Sequence, residues 1–320
     1  MPAWKYSVIS GFLGKLNDRF ASYGEARDLA AKFDLASKIE GLDGLELIYP
    51  FDFSDPAATK ALLDQHKLEC STVNVNIKSE AKFHLGALTS RDPGIRREAV
   101  EYMQRGMDIA ARIGTNMITC CPLSDGYDYA FESDYARAWK WFIEGVGLAA
   151  SHRPGVRVCL EYKQSEPRHK VILPNAGTSL AACLQIGLPN IGVTMDMGHA
   201  LYAGEGTAQA AALLAQAGRL FLVHVNDNYR NWDWDMIPGA VNPWDLVELM
   251  FHLDELGYAG WLTSDVAPFR LEAVKTCSSA YRSILWAERV IEKIGRDELR
   301  RILREGDPID ALDALQKAAV

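Results

Sequence analysis

Long unbroken apolar runs are missing from this 320-residue chain. No stretch approaches the ~18 continuous apolar residues of a membrane-crossing helix, and the opening Met-Pro-Ala-Trp-Lys-Tyr lacks the apolar core of a secretory leader. The expected location is the cytoplasm, with no membrane partner. Basic charge is in deficit: 34 Lys and Arg stand against 42 Asp and Glu, a net charge of -8. That balance argues against a broad nucleic-acid surface. The six cysteines, at positions 70, 120, 121, 159, 183 and 277, show no CxxC spacing and fall in or beside apolar runs. Neither a thiolate metal site nor a disulfide framework is expected from them. A glycine-rich phosphate turn is also lacking, since Gly11 and Gly14 after the first strand make no dinucleotide fingerprint. No Pro/Gly/Ser linker or low-complexity run divides the chain.

What is present is a regular alternation. Apolar, β-prone runs predict strands over residues 6–12, 44–49, 68–77, 116–121, from 156 to the charged end at 161–163, 191–195, 220–225 and 260–265. Helical spacing fills the intervals at residues 25–39, 56–66, 94–113, 133–150, 179–186, 207–217, 243–256 and 271–294, with Asp55 as a predicted N-cap and Gly114 as a predicted stop. Eight strands alternating with eight helices imply a parallel sheet, and eight repeats fit a single α/β domain, a (β/α)8 TIM barrel over residues 1–306. Residues 307–320 read as a short amphipathic tail packed on the barrel or on a neighbouring subunit.

In such a barrel the chemistry lies at the carboxyl ends of the strands. The fifth strand ends in Glu161 and Lys163, which point the same way because alternate strand residues share a face. The sixth ends in Asp196 with His199 after it, the seventh in His224 and Asn226, and the eighth in Asp265. Each residue alone has an ordinary reading, as a helix N-cap or a satisfied polar group. Four in register on successive strands (Glu161, Asp196, His224 and Asp265) make an oxygen-rich cation site, suited to Mn2+ above all and also to Mg2+ or Co2+. Like charges packed that closely would otherwise repel one another.

His199, Asp233 and Asp235 form a second set, read either as a solvated loop or as ligands of a second cation, giving one or two ions per chain. Lys163 either neutralises carboxylates or stabilises negative charge on a substrate oxygen; the cluster favours the second. Arg230, Trp232, His199 and Asn226 are the expected substrate contacts. Phe51, Phe83, Trp234 and Phe269 are candidate apolar walls, His84 is left open, and Cys120 and Cys121 are expected to be packed.

These residues resemble the xylose isomerase family and its L-rhamnose isomerase relatives. Glu161-Tyr-Lys163-Gln-Ser-Glu166-Pro167-Arg168 is similar to the family's Glu-x-Lys-x-x-Glu-Pro-Arg, Asp196-Met-Gly-His199 to its acid-x-x-His, and Asp233-Trp-Asp235 to its second-metal Asp-x-Asp. The resemblance implies a metal-dependent aldose–ketose isomerase. Glu161, Asp196, His224 and Asp265 would hold one metal, and His199, Asp233 and Asp235 a second that promotes a 1,2-hydride shift. Lys163, Glu161 and Asp265 are the expected catalytic side chains. The Asp196 and His224 pattern is nearer the rhamnose isomerases, and the ring-opening His and Asp of xylose isomerase have no counterpart after the second strand, which ends Tyr49-Pro-Phe-Asp52. An unphosphorylated sugar or sugar derivative is the expected substrate and a homodimer or homotetramer the expected assembly. The alternatives are a keto-sugar epimerase or isomerase working through an ene-diolate, and a metal-dependent lyase or hydrolase.

Overall fold

The computed structural model describes residues 4–319. The first residues of the N-terminal stretch read above, and the last residue of the tail, therefore lie outside the described residues. Eight strands form the barrel: β1 (Lys5–Ile9), β2 (Gly44–Tyr49), β3 (Glu69–Val75), β4 (Met117–Cys120), β5 (Arg157–Glu161), β6 (Ile191–Asp196), β7 (Leu220–Val225) and β8 (Trp261–Ser264). Every neighbouring pair is parallel, and β1 pairs with both β2 and β8, which closes the sheet on itself.

The crossovers are helical: α1 (Leu29–Ala36), α2 (Pro56–His66), α3 (Pro93–Ile113), α4 (Tyr135–Ser151), α5 (Ala176–Ile186), α6 (Met197–Tyr202), α7 (Thr207–Gln216), α8 (Pro243–Glu255) and α9 (Ala273–Ile294). Local chemistry sets their ends. Asp55 caps α2 by accepting from the amides of Ala57 and Ala58, with Pro56 in the first turn. Gly114, at φ +96°, closes α3 in the left-handed conformation that costs glycine no Cβ clash. The tail expected over residues 307–320 holds one helix, α11 (Pro308–Ala319), while an unexpected helix, α10 (Arg296–Glu305), comes between α9 and that tail; both pack against α9.

Strand alternation builds two apolar layers. Residues facing outward, such as Val8, Leu47, Val73, Ile118, Leu160, Val193 and Val223, join helix side chains in one continuous core around the barrel. Inward-facing Met117, Cys159 and Leu222 form a small separate plug. Above the plug the interior turns polar, with Ser7 bonded to Thr263 and Thr119 bonded to Thr194, each at 2.7 Å. The next residues inward on β5, β6 and β7 are Glu161, Asp196 and His224. The barrel thus runs from an apolar floor to an ionisable mouth.

Candidate metal centre

Glu161, Asp196 and His224 are each fully or almost fully buried at the carboxyl ends of β5, β6 and β7. Asp265 follows β8, its backbone amide still bonded to the Val225 carbonyl. One ligand atom from each of the four lies within 4.8 Å of the other three. His224 presents Nδ1 to this group, 3.2 Å from Asp265 Oδ2, 3.5 Å from Glu161 Oε1 and 3.8 Å from Asp196 Oδ2.

The helix α6 was not read from the sequence, and it positions His199. Asp196 is its N-cap, with Oδ1 accepting from the His199 amide at 2.7 Å while Oδ2 faces His224. The ordinary reading of a strand-end Asp as an N-cap therefore occupies Oδ1 and leaves Oδ2 turned to the cluster. His199 sets Nδ1 3.3 Å from Glu161 Oε1 and Nε2 3.1 Å from Asp233 Oδ2. Lys163 Nζ lies 2.8 Å from the same Asp233 oxygen and 2.5 Å from Glu166 Oε2. The second set is thus joined to the first through His199, with Lys163 facing Asp233 from the other side.

The charges explain one another. Burial would raise the Glu161 carboxyl, but His224 and His199 hold it down at about 2. Asp196 is pushed up to about 7 by burial, against the pull of His199 and with the repulsion of Asp265 and Asp233. Burial lowers an imidazole, yet Asp196 and Asp233 keep His199 up at about 9, and Glu46 and Glu161 hold His224 well above its ordinary value. Asp235 is pushed well above the carboxylate range by burial and by Asp233 and Asp265. Without a cation, protons do the neutralising.

The donor set fits a divalent cation. Glu161 receives no backbone or amide hydrogen bond among the described residues, and Asp233 Oδ1 and His199 Nδ1 are buried without a hydrogen-bond partner. A carboxylate buried in that way is costly unless an ion or a proton satisfies it. One imidazole with three carboxylates is a hard, oxygen-dominated set.

Other expected residues lie elsewhere. Asn226 is buried, with Oδ1 accepting from the Gly198 amide and Nδ2 3.2 Å from Asp196 Oδ2, so it steadies Asp196. Arg230 is not brought to the cluster. At φ +62° its backbone turns over, and its guanidinium pairs with both oxygens of Asp245 on α8 at 2.9 Å. Trp232 and Trp234 lie on the loop after β7, 41% and 51% exposed, while Phe83 is buried in the core and supplies no wall. His84 is exposed on the loop after β3, and Cys120 and Cys121 are buried, as expected.

Two residues went unread. Glu46 on β2 is fully buried with His224 Nε2 3.1 Å from its Oε2, and Asn74 on β3 donates to its Oε1 at 2.6 Å. A signal was available: strands of a closed parallel barrel are covered on both faces and read as apolar runs, so a lone Glu inside Gly-Leu-Glu-Leu-Ile-Tyr is out of place.

A closed parallel barrel with a strand-end cluster of carboxylates and imidazoles defines a (β/α)8 protein with a candidate cation site. The chain belongs to the xylose isomerase-like TIM barrel family, whose model matches residues 33–276. It is 28% identical over 219 residues to a xylose isomerase from Thermus thermophilus, an alignment covering 67% of this chain and 57% of that enzyme. The chain thus spans little more than half the length of that relative. Among solved structures it resembles a D-tagatose 3-epimerase-like protein, with TM-score 0.71, 18% identity, and coverage of 91% of this chain and 100% of the other. It also resembles the apo 3-keto-D-glucoside 4-epimerase of E. coli, with TM-score 0.68, 17% identity, and coverage of 89% and 99%.

Proposed function

We propose that the protein is a divalent-cation-dependent sugar isomerase that interconverts an aldose and a ketose of an unphosphorylated sugar or sugar derivative. The observation that carries this reading is the convergence of donor atoms from Glu161, Asp196, His224 and Asp265 within 4.8 Å of one another in a xylose isomerase-like barrel. These four would hold one Mn2+, Mg2+ or Co2+, with His199, Asp233 and Asp235 as the ligands of a second. The cation, when bound, polarises two neighbouring substrate oxygens as a Lewis acid.

The chain's own residues do the remaining work. Against burial, Asp233, Glu166 and Asp235 hold the Lys163 ammonium charged, so it offers a fixed positive charge to an oxygen that gains negative charge during the reaction. Glu161 stays ionised and acts as a holder of the cation rather than as a proton donor. Asn226 steadies Asp196, and the Asp196 cap steadies α6 and with it His199. Trp232 and Trp234 contribute apolar surface beside the mouth. In the isomerisation a hydride moves with its electron pair from C2 to C1, and the O2 proton passes to O1. No protein base is needed at carbon.

A second reading, a keto-sugar epimerase that moves a proton at carbon between two carboxylates, draws on the presence of Glu161 and Asp265 in one group. Asp265 is one methylene shorter than a Glu and reaches less far towards a substrate carbon. The experiment is a screen of aldoses, ketoses and sugar acids with Mn2+, product read by chromatography and the active sugar then run in D2O. Product free of carbon-bound deuterium is expected. Efficient deuterium uptake would replace the hydride shift with proton transfer, and no turnover of any sugar would overturn the isomerase reading.

A further inference from the structure

Glu46 is the third residue of β2, and its side chain enters the barrel interior directly behind His224, with no exposure to solvent. Its two oxygens have different partners. Oε1 accepts from Asn74 Nδ2 at 2.6 Å, and Oε2 lies 3.1 Å from His224 Nε2. A carboxylate oxygen accepts, so the imidazole nitrogen facing it carries the proton. In a neutral ring the lone pair is then on Nδ1, the atom that faces Asp265, Glu161 and Asp196. The same hydrogen bond fixes the ring plane, because Glu46 is itself held by an amide on the neighbouring strand β3.

The cost of this arrangement also points to a purpose. A fourth acidic side chain, buried behind the three carboxylates of the group, adds repulsion and desolvation that an apolar residue at position 46 would avoid. The barrel interior on this level has other ways to be filled, as the Thr119–Thr194 and Ser7–Thr263 pairs show.

We propose that Glu46, steadied by Asn74, is a positioning residue of the metal centre that locks His224 in the Nε2–H form and aims Nδ1 at the cation. The proposal rests on the metal reading of the preceding subsection, and Glu46 contacts neither cation nor substrate. It acts on the ligand's tautomer, orientation and basicity, as partners of metal-bound histidines do.

The test uses the full chain and Mn2+ or Co2+ alone. Glu46→Leu fills the space and removes the acceptor. Its expected effect is roughly 10- to 100-fold weaker Mn2+ binding by calorimetric titration, together with a changed visible spectrum of the Co2+-loaded protein. Glu46→Asp keeps the charge but retracts it by a methylene, and a loss in the same direction is expected. Glu46→Gln keeps an acceptor for Nε2–H once the Asn74 amide turns over, and is expected to bind within a few-fold of the parent. A structural role alone would lower the denaturant midpoint of metal-free Glu46→Leu and leave the affinity and Co2+ spectrum of the folded protein unchanged. That result, or parent-like affinity in Glu46→Asp should Glu46→Leu not fold, overturns the proposal while the metal reading stands. A parent chain that binds no Mn2+ overturns both.

Discussion

Asp196 and Asp227 both stand at the ends of barrel strands, and both are fully buried, yet what donates to them differs. Asp227 accepts from the amides of Asn228, Val241 and Asn242 and from the Asn242 side chain, at 2.6–2.9 Å. Asp125 does the same for the loop after β3, taking the amides of Ala87, Leu88 and Thr89 and the Thr89 hydroxyl. These carboxylates are satisfied by protein and pin the loops around the mouth. Among the described residues Glu161 is met only by imidazoles, and Asp233 keeps one oxygen unpartnered. Two predictions separate the kinds. Asp227→Asn places an amide where two backbone N–H groups point, so it should cost about 1–3 kcal/mol in a denaturant titration and leave Mn2+ affinity of the folded protein close to the parent. Glu161→Gln and His224→Asn should abolish turnover and weaken Mn2+ binding at least ~10-fold with the circular dichroism of the fold retained. Full activity in either would remove that residue from the ligand set.

The element that joins the two sets of candidate ligands is α6, and its placement depends on a glycine. The Gly198 amide bonds to Asn226 Oδ1, and a Cβ at position 198 would lie 2.3 Å from that oxygen and 3.0 Å from Asn228 Nδ2. Gly198→Ala must therefore push α6 away from β7, taking His199 with it. The expected cost is about 1–3 kcal/mol of stability by chemical denaturation, with weaker Mn2+ binding by titration; parent values for both would show that the Asn226 amide yields instead. The strands and the long helices were legible because burial on both faces and 3.6-residue spacing leave patterns of many residues. α6, with six residues, is too short to show a period, and its cap, Asp196, reads equally as a ligand. The cluster of four strand-end side chains was legible because a charge that ends an apolar run marks the mouth of the barrel. Glu46 stands out as a charge inside an apolar run, but its role was not legible because it depends on His224, 178 positions away. The pairing of Arg230 with Asp245 of α8 was not legible, because nothing local announces that its loop folds back onto that helix.

Closing eight strands into one barrel forces ionisable groups from distant parts of the chain into a common interior, and the stability of the whole molecule inherits their titration. In the metal-free protein His199 is raised to about 9 and Asp196 to about 7. Each group binds its proton more tightly folded than unfolded, so its contribution is complete below its ordinary value and is lost as pH rises through 7 and then 9. Glu161, lowered to about 2, has the opposite sign: its contribution is present above its ordinary value of 4.5 and is lost as pH falls towards 2. Metal-free protein should accordingly be most stable in mildly acidic solution and weaken through neutral to alkaline pH. A divalent cation competes for the same sites, so its affinity rises over the interval in which the protons leave. Metal at about 100 times its dissociation constant stabilises by about 2.7 kcal/mol, and because the protons leave the same sites the gain at fixed metal concentration should grow with pH. The check is thermal denaturation of chelated and Mg2+- or Mn2+-loaded protein at about pH 6 and about pH 8.5. The metal-induced rise in melting temperature should be larger at the higher pH, chiefly because the chelated protein melts earlier there. An equal or smaller rise at the higher pH would mean that protons and cation do not compete for His199 and Asp196.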